Sequence, residues 1–333
     1  MTGVTATTRR SARTASAVIL TSALVGSLVA CSSPFGSDVC VPVVPEGPSA
    51  SLVTASGAFG TAPTVDFPTP LRSEAAESSV IDAGDGEQIA AGQIVDFQVS
   101  LFSGESGELI TQSAYSDEQD PLRRAAGAET DLLAQSLQCA TVGSRLAVTG
   151  TIEEVFGPDV LDPTLGLGNT DPIVLVFDVE AAYLGRATGT PQLGASGIPA
   201  VVTTPTGVPG VTIPDEAPPT ELRAHTLVLG DGAPIAEGDR AVLHYTGLLW
   251  DTKTIFDSSW DRESPVTFTI ASFQDDPNGV VPGLAQGLIG KTIGSQVIVV
   301  IPPELGYPEG QAPATIPAGS TMVFVVDVLG VEG

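Results

Sequence analysis

The sequence holds few of the residues that carry covalent chemistry in most enzymes. Its 333 residues include 3 cysteines and 2 histidines, and 5% of them are aromatic. No CxxC pair and no Cys/His cluster with metal-ligand spacing occurs, so a zinc site has no support. We therefore expect His225 and His244 to be surface or hydrogen-bonded core residues. Hydrolase and metalloenzyme functions lack a supporting constellation of side chains.

Positive charge is also scarce. Lysine and arginine total 13 against 39 aspartates and glutamates, and the formal net charge is -26. A surface of that sign repels nucleic acid and anionic lipid head groups. This argues against DNA or RNA binding, and any membrane attachment has to be covalent or apolar. The 37 glycines and 27 prolines indicate turn-rich globular domains, and the length suits about two of them.

Residues 1–30 have the pattern of an export signal. A basic stretch with three arginines precedes an apolar run, residues 15–30, which is short for a membrane-spanning helix. The run ends in LVAC, which resembles a bacterial lipobox with Cys31 as the lipidated residue. The expected product is a protein that is lipid-anchored to the cell membrane outside the cytoplasm. The alternative is an ordinary signal peptide cleaved after Ala30, which leaves a free thiol.

Two segments have the Pro-, Gly- and Thr-rich composition of chain connections. Residues 31–64 are predicted to be a flexible tether, and residues 188–206 a linker between two domains. The run PAVV inside the linker could still pack as a short strand. Cys40 and Cys139 can form a disulfide in an exported protein. The sequence does not show that they meet, and Cys139 is equally compatible with a small buried residue.

The chain repeats itself. GDGEQIAAG (84–92) matches GDGAPIAEG (230–238) at an offset of 146, with six of nine positions identical. LAQSLQCATVGS (133–144) matches LAQGLIGKTIGS (284–295) at an offset of 151, with seven of twelve identical. Two tandem copies of one fold explain these matches better than chance does, with a five-residue loop insertion in the second copy.

The copies are predicted to be α+β domains over residues 65–187 and 207–333. In the second copy, RAVLHYTGLLW, VTFTI, SQVIVVIP and TMVFVVDVLGV have strand patterns. VVPGLAQGLIGK predicts a short helix with Pro282 in its first turn, where proline is tolerated. The expected fold of each copy is an antiparallel sheet wrapped around a short helix, with an apolar pocket on the concave side.

Successive stretches of the second copy resemble the motifs of FKBP-type peptidyl-prolyl cis-trans isomerases. They are VLHYTG, FDSSWDR, VVPGLAQGLIGKTIG, PPELGYP and IPAGSTMVFVVDVLGV, in this order within residues 226–332. The first copy resembles the same family more weakly. The resemblance implies isomerisation of X-Pro bonds and assistance in the folding of exported proteins. It also implies proline-containing polypeptides as partners, macrolides as candidate ligands, and neither cofactor nor metal.

Such a reaction needs little catalytic equipment. Rotation about the X-Pro amide is opposed by a barrier of ~18–20 kcal/mol, but no covalent bond breaks. A dry cleft removes the water hydrogen bonds that favour the planar, charge-separated resonance form. Because the twisted amide is less polar, an apolar cleft binds it better than the planar ground state, which is a hypothesis of differential transition-state binding.

The resemblance assigns residues of the second copy to the site. The catalytic residues are Tyr245, Phe256, Asp257 and Tyr307. The substrate-binding residues are Arg262, Val266, Phe268, Val280, Val281, Leu284, Ile316 and Phe324. Asp257 is expected near the rotating carbonyl, held by Tyr245 and Arg262, and Tyr307 is expected to offer its hydroxyl to a substrate carbonyl. The main-chain N–H of Val281 is expected to donate a hydrogen bond to a second substrate carbonyl.

Each assignment has a structural alternative. Phe256, Leu284 and Phe324 are types that usually belong to a core. Asp257 also fits a turn with its own backbone hydrogen bonds, and Tyr307 fits a structural aromatic residue in a loop. The joint match in order and spacing favours the site.

The second copy departs from the family pattern at three positions. Val266 stands where eukaryotic members usually carry an aromatic residue, and Leu284 replaces a tryptophan often found at the pocket floor. Trp260 occupies a variable position. A leucine floor still gives an apolar cleft, but a roomier one, which bears on substrate preference and macrolide affinity.

The first copy departs further. By the offsets, Val99 replaces the pocket tyrosine, Ile110 the phenylalanine and Thr111 the aspartate, while Phe156 falls opposite Tyr307. We expect a degenerate copy with little or no isomerase activity that serves as a spacer, a client-holding surface or a scaffold. For the whole protein, a non-catalytic module that binds proline-containing segments is the alternative function, and a structural lipoprotein without a client is a third.

Overall fold

The computed structural model describes residues 40–116, 119–127, 132–157, 167–308 and 310–333. The predicted export signal, the predicted lipidation site Cys31 and the first part of the predicted tether lie outside the described residues. None of the described helices is long and apolar enough to cross a membrane. They are α1 (Leu132–Leu137), α2 (Ile152–Phe156) and α3 (Pro282–Leu288), with 3-10 turns at Ala50–Leu52 and Pro303–Leu305.

The described strands are β1 (Thr54–Ser56), β2 (Thr64–Asp66), β3 (Glu77–Asp82), β4 (Ile94–Ser103), β5 (Leu109–Gln112), β6 (Leu122–Ala125), β7 (Arg145–Thr151), β8 (Pro172–Tyr183), β9 (Thr190–Pro191), β10 (Ala200–Thr203), β11 (Pro209–Thr212), β12 (Arg223–Leu229), β13 (Arg240–Leu249), β14 (Ile255–Ser258), β15 (Val266–Ser272), β16 (Gly279–Val280), β17 (Gln296–Ile301) and β18 (Met322–Val331). The chain is thus rich in sheet and poor in helix, as the predicted α+β class requires.

Two large sheets contain most of these strands. The N-terminal sheet has the order β3-β7-β8-β4-β5, and β6 also pairs with β4. The C-terminal sheet has the order β16-β15-β13-β18-β17-β12-β9, and β14 also pairs with β13. All these pairings are antiparallel except that of β15 with β16. We call residues 40–183 the N-terminal half and residues 184–333 the C-terminal half.

Four strands of each sheet share one order and one register. The series β3-β7-β8-β4 in the first sheet corresponds to β12-β17-β18-β13 in the second. The pairing of Val99 with Phe177 corresponds to that of Tyr245 with Val326. Both central pairs also contain a register shift at the same place, after Asp96 in β4 and after Val242 in β13. Register therefore identifies equivalent positions in the two sheets.

The segments predicted to be a tether and a linker differ from that expectation, because both are folded. Residues 54–66 form the hairpin β1–β2 and residues 200–212 form the hairpin β10–β11. Thr54 pairs with Asp66, and Ala200 pairs with Thr212, so the two hairpins have the same length. Each hairpin places apolar residues against the outer face of the large sheet that follows it in the chain.

Strand β17 is covered on both faces, by α3 on one side and by the hairpin β10–β11 on the other. Its sequence QVIVVI is apolar at almost every position, and all six residues are buried. Val297 and Val299 belong to the cluster around α3 on one face, whereas Ile298 and Val300 belong to the cluster under the hairpin β10–β11 on the other. A strand that is covered on both faces has no solvent-facing side, which explains the loss of alternation.

A disulfide anchors the start of the described chain. Cys40 is joined to Cys139, with Cα atoms 5.5 Å apart and a sequence separation of 99. The sequence had left this pairing open. Val44, Ala50 and Val53 follow the disulfide and are buried. Residues 40–64 are therefore part of the folded N-terminal half rather than a flexible tether.

Candidate functional site

A cavity of about 150 Å³ lies between α3 and the concave face of the C-terminal sheet. Strand β13 and its neighbours form its floor, and the start of α3 forms one wall. Its lining residues are Leu243, Tyr245, Phe256, Asp257, Phe268, Phe273, Gly279, Val280, Val281, Leu284, Tyr307, Phe324 and Val326. All but a few of these side chains are apolar, so the cavity excludes water from most of its surface.

Two phenylalanines form a wall of the cavity, and they lie on β14 and β18, the strands that pair with the middle of β13. The rings of Phe256 and Phe324 meet edge to face, with centroids 5.5 Å apart. Gly247 lies behind them, and a Cβ atom there would lie 2.6 Å from Cζ of Phe256 and 3.1 Å from Cε1 of Phe324. Glycine is required at this position because any side chain would displace both rings.

Helix α3 closes the cavity because its glycines let it approach the sheet. A Cβ atom at Gly283 would lie 2.5 Å from Ile301, and one at Gly287 would lie 2.7 Å from Val299. Pro282 opens the helix, as predicted, and Val281 precedes it as the N-cap residue. The close approach brings Leu284 to the cavity wall, where it is 5% exposed.

The polar part of the cavity is a chain of three side chains. The hydroxyl of Tyr245 donates a hydrogen bond to Oδ2 of Asp257. Arg262 donates from Nη1 to Oδ1 of Asp257 at 2.5 Å and from Nη2 to the hydroxyl of Tyr245 at 3.1 Å. The pairing of β13 with β14, in which Gly247 lies opposite Asp257, sets this arrangement. The carboxylate is thus fixed at the cavity edge on two sides.

The ionisation of these groups follows from their surroundings. Burial opposes ionisation of Asp257, but the hydrogen bonds from Tyr245 and Arg262 hold the pKa of its carboxyl below the ordinary value. Burial, together with the bond to Asp257, raises the pKa of Tyr245 to about 12. Burial and the nearby charge of Asp257 also raise the pKa of Tyr307. At neutral pH the cavity therefore contains one carboxylate and two neutral phenols.

Nine of the twelve predicted site residues line the cavity. They are Tyr245, Phe256, Asp257, Phe268, Val280, Val281, Leu284, Tyr307 and Phe324. Arg262 contacts the cavity through Asp257 and Tyr245. Val266 packs against the surrounding apolar cluster without lining the cavity, and Ile316 lines a neighbouring cavity of about 250 Å³ that shares Tyr307 with it.

Sequence reasoning missed four lining residues. Leu243 lies two positions before Tyr245 in β13, and Val326 pairs with Tyr245, so strand alternation could have identified both. Phe273 has its ring centroid 5.7 Å from that of Tyr307. Phe273 lies in the loop after β15 and Gly279 begins the two-residue strand β16, so no periodic pattern indicates that they face the cavity.

His244 lies on the face of β13 opposite Tyr245 and is a satisfied core residue, as expected. Its Nδ1 lies 2.8 Å from the hydroxyl oxygen of Ser259, and its ring stacks on Trp260 with centroids 3.8 Å apart. The same hydroxyl oxygen accepts the main-chain N–H of Tyr245 at 2.8 Å. Burial lowers the pKa of His244 to about 4.

The described part of the N-terminal sheet carries other side chains at the positions equivalent to the cavity floor. Phe97 and Phe177 stand in register where Leu243 and Val326 line the cavity, and both are fully buried. Their rings meet edge to face with centroids 6.2 Å apart. Leu101, which is 4% exposed, replaces Gly247. At these three positions the side chains are larger than their counterparts in the C-terminal half.

The hydrogen-bonded side chains of Tyr245, Asp257 and Arg262 thus lie at the edge of a mostly apolar cavity. A family model described as FKBP-type peptidyl-prolyl cis-trans isomerase matches residues 232–329. The chain is 32% identical over 122 residues to the probable FK506-binding protein of Corynebacterium glutamicum. The match covers 36% of this chain and 96% of that relative. It is 45% identical over 95 residues to FK506-binding protein 2B of Rhizopus delemar, covering 28% and 43% respectively.

The chain belongs to the family of FKBP-type peptidyl-prolyl cis-trans isomerases. It spans about half the length of several curated relatives that it matches. Among solved structures, FkpA from Escherichia coli is 33% identical over a match that covers 40% of this chain and 51% of that one, with a TM-score of 0.29.

Proposed function

We propose that the C-terminal half catalyses cis-trans isomerisation of X-Pro peptide bonds in the cavity beside α3. The observation that carries the proposal is the fixed carboxylate of Asp257 at the edge of an otherwise apolar cavity, in a chain of this family. The apolar walls suit a proline ring, and the open side leaves the two flanking segments of the substrate in solvent.

The apolar walls do most of the chemistry in this proposal. The planar amide is stabilised by water hydrogen bonds to its charge-separated form, and the cavity withholds that water. The twisted amide loses less stabilisation by water when it enters the cavity, so the cavity binds it more tightly than the planar form. Phe256 and Phe324 hold the ring while the preceding carbonyl rotates.

The polar groups orient the rotating carbonyl. Asp257 is held ionised by Tyr245 and Arg262, so it presents a fixed negative charge toward the carbon end of that carbonyl. The hydroxyl of Tyr307, kept neutral by its raised pKa, can donate a hydrogen bond to a substrate carbonyl. No group needs to gain or lose a proton during the reaction.

A protease-free assay tests this function. Magnetisation-exchange NMR on a short X-Pro peptide should show faster exchange with the full chain than without it. The macrolide FK506, which names several relatives, should suppress the acceleration by competing for the cavity. Binding of the peptide without any acceleration would support a non-catalytic peptide-binding module instead.

We further propose that the chain contains two tandem FKBP-like domains, each preceded by its own hairpin. The shared strand order, the shared register shift and the equal hairpins support this arrangement. The first domain is a non-catalytic copy in this proposal, because larger side chains stand at its floor positions and Thr111 replaces the aspartate.

We also propose that the protein is a lipoprotein that assists the folding of exported proteins outside the cytoplasmic membrane. The sequence pattern ending at Cys31 supports the anchor, and the disulfide supports an oxidising compartment. Partitioning of the expressed protein into detergent should be lost in Cys31→Ala. Equal partitioning of both proteins would contradict the anchor.

A further inference from the structure

The two halves are joined by a polar bridge centred on Arg123 of β6. Its Nε and Nη2 donate to the two carboxylate oxygens of Asp96 at 2.6 Å each. The same guanidinium donates from Nη1 to Oγ1 of Thr267 and from Nη2 to Oε1 of Glu332, both at 2.9 Å. Asp96 belongs to the N-terminal half, whereas Thr267 and Glu332 belong to the C-terminal half.

The bridge is largely shielded from water. The side chain of Arg123 is 17% exposed, and its guanidinium lies 5.3 Å from the ring centroid of Tyr183. The hydroxyl of Thr267 also donates to Oε1 of Glu332 at 2.5 Å. Although burial opposes ionisation, Thr267 and the guanidinium groups of Arg240 and Arg123 hold the pKa of Glu332 below its ordinary value. Glu332 thus remains charged at neutral pH, whereas burial raises the pKa of the Asp96 carboxyl above its ordinary value despite the hydrogen bonds from Arg123.

Thr267 connects this bridge to the cavity. It lies in β15 immediately before Phe268, which lines the cavity, and strand geometry turns the two side chains to opposite faces. Within residues 266–268, β15 pairs with β13 on one side, and its pairing with β16 begins only at Thr269. In the described part of the chain, the segment that carries Phe268 is therefore held by β13, by the contact of Phe268 with Tyr245, and by the hydrogen bonds of Thr267 with Arg123 and Glu332.

We propose that Arg123 is a positioning residue for the isomerase cavity, acting through Thr267 on Phe268. The N-terminal half is then a brace that sets the far wall of the active site of its neighbour. This role rests on the proposed isomerase function, but the geometry of the bridge does not. It assigns a use to a domain copy that is non-catalytic in the proposal above.

The primary test is the full chain with Thr267→Val, which keeps the volume and the Arg123–Asp96 pair but removes the hydroxyl. We expect kcat/KM for a short X-Pro peptide to fall about three- to tenfold, as for coupled neighbours in one network. Thr267→Ser, which retains the hydroxyl, should restore most of it. Arg123→Gln should lower kcat/KM similarly, and the double variant should be no worse than Arg123→Gln alone.

A matched control separates positioning from general destabilisation. Arg72→Gln removes a surface arginine that pairs with Glu105, both being more than half exposed, and should change neither activity nor melting temperature. A lower melting temperature with unchanged kcat/KM in Thr267→Val would reduce the bridge to a structural clamp and overturn the proposal. Losses that multiply in the double variant would also overturn it.

A second measurement remains valid if the wild-type chain proves inactive, in which case the isomerase proposal itself fails. A single 4-fluorophenylalanine at position 268 of the full chain reports directly whether this cavity wall has one conformation. Its ¹⁹F signal should be narrow in the wild type and in Thr267→Ser, and broadened or split in Thr267→Val and Arg123→Gln. Identical spectra in all four proteins would contradict the brace.

Discussion

Phe97 holds in β4 the register position that Leu243 holds in β13, and each directly follows the register shift of its strand. Leu243 lines the cavity of the C-terminal half, whereas Phe97 is fully buried against Phe177. At this equivalent position the N-terminal half carries the larger side chain.

We therefore expect all isomerase activity of the full chain to come from the C-terminal half. Phe256→Ala and Asp257→Ala should each lower kcat/KM about ten- to hundredfold, because one loses a wall and the other the fixed charge. Combined, they should reduce exchange of an X-Pro peptide to the spontaneous rate. Residual acceleration in the folded double variant would mean that the N-terminal half is also catalytic.

The activity should be insensitive to pH near neutrality. The pKa of Asp257 is below its ordinary value and that of Tyr245 is about 12, so neither changes charge between about pH 6 and about pH 9. We expect kcat/KM to be constant across that range, measured by peptide exchange at several pH values. A bell-shaped profile centred near neutrality would indicate proton transfer in the reaction and contradict the mechanism.

The buried His244 should couple stability to pH. Its pKa falls from the ordinary 6.5 to about 4, so between these values the unfolded chain binds more protons than the folded one. The neutral His244 contributes fully to the free energy of unfolding when the pH is above the ordinary histidine pKa. That contribution falls by about 1 kcal/mol per pH unit as the pH drops below this pKa. The free energy of unfolding of the wild type minus that of His244→Gln should rise with pH across this window and be level above it. A difference that does not vary with pH would contradict the assignment.

Because His244 faces away from the cavity, His244→Ala should leave kcat/KM nearly unchanged.

The ion pair between Arg145 and Asp178 should be costly to break. Arg145 donates from Nε and Nη2 to the two carboxylate oxygens at 2.6 Å each, and both side chains are at most 1% exposed. Arg145→Met leaves a buried carboxylate without its cation, which should lower the free energy of unfolding by about 3–5 kcal/mol in denaturant titrations. Adding Asp178→Asn should recover much of that loss. A change under about 1 kcal/mol in the single variant would be inconsistent with this geometry.

Residue patterns identified much of the C-terminal half before the structure did. The run SQVIVVIP predicted a strand, Pro282 marked the start of α3, and His244 was expected to be a surface or hydrogen-bonded core residue. These features depend on local periodicity, which a sequence carries directly.

Other features depend on distant parts of the chain. The hairpins β1–β2 and β10–β11 have short strands, and with their turns they are rich in threonine, proline and glycine, which is also the composition of a flexible connection. Their stability comes from burial against the sheets, so composition alone could not distinguish the two. The Cys40–Cys139 disulfide and the Arg123 bridge likewise join residues far apart in sequence.

The most direct test of the central claim is the rate of cis-trans exchange of a short X-Pro peptide, measured by NMR without a protease and with the full chain present. We predict exchange well above the spontaneous rate, suppressed by FK506 and lost in the Phe256→Ala, Asp257→Ala double variant. Exchange at the spontaneous rate in the presence of the folded wild-type chain would contradict catalysis in the cavity beside α3.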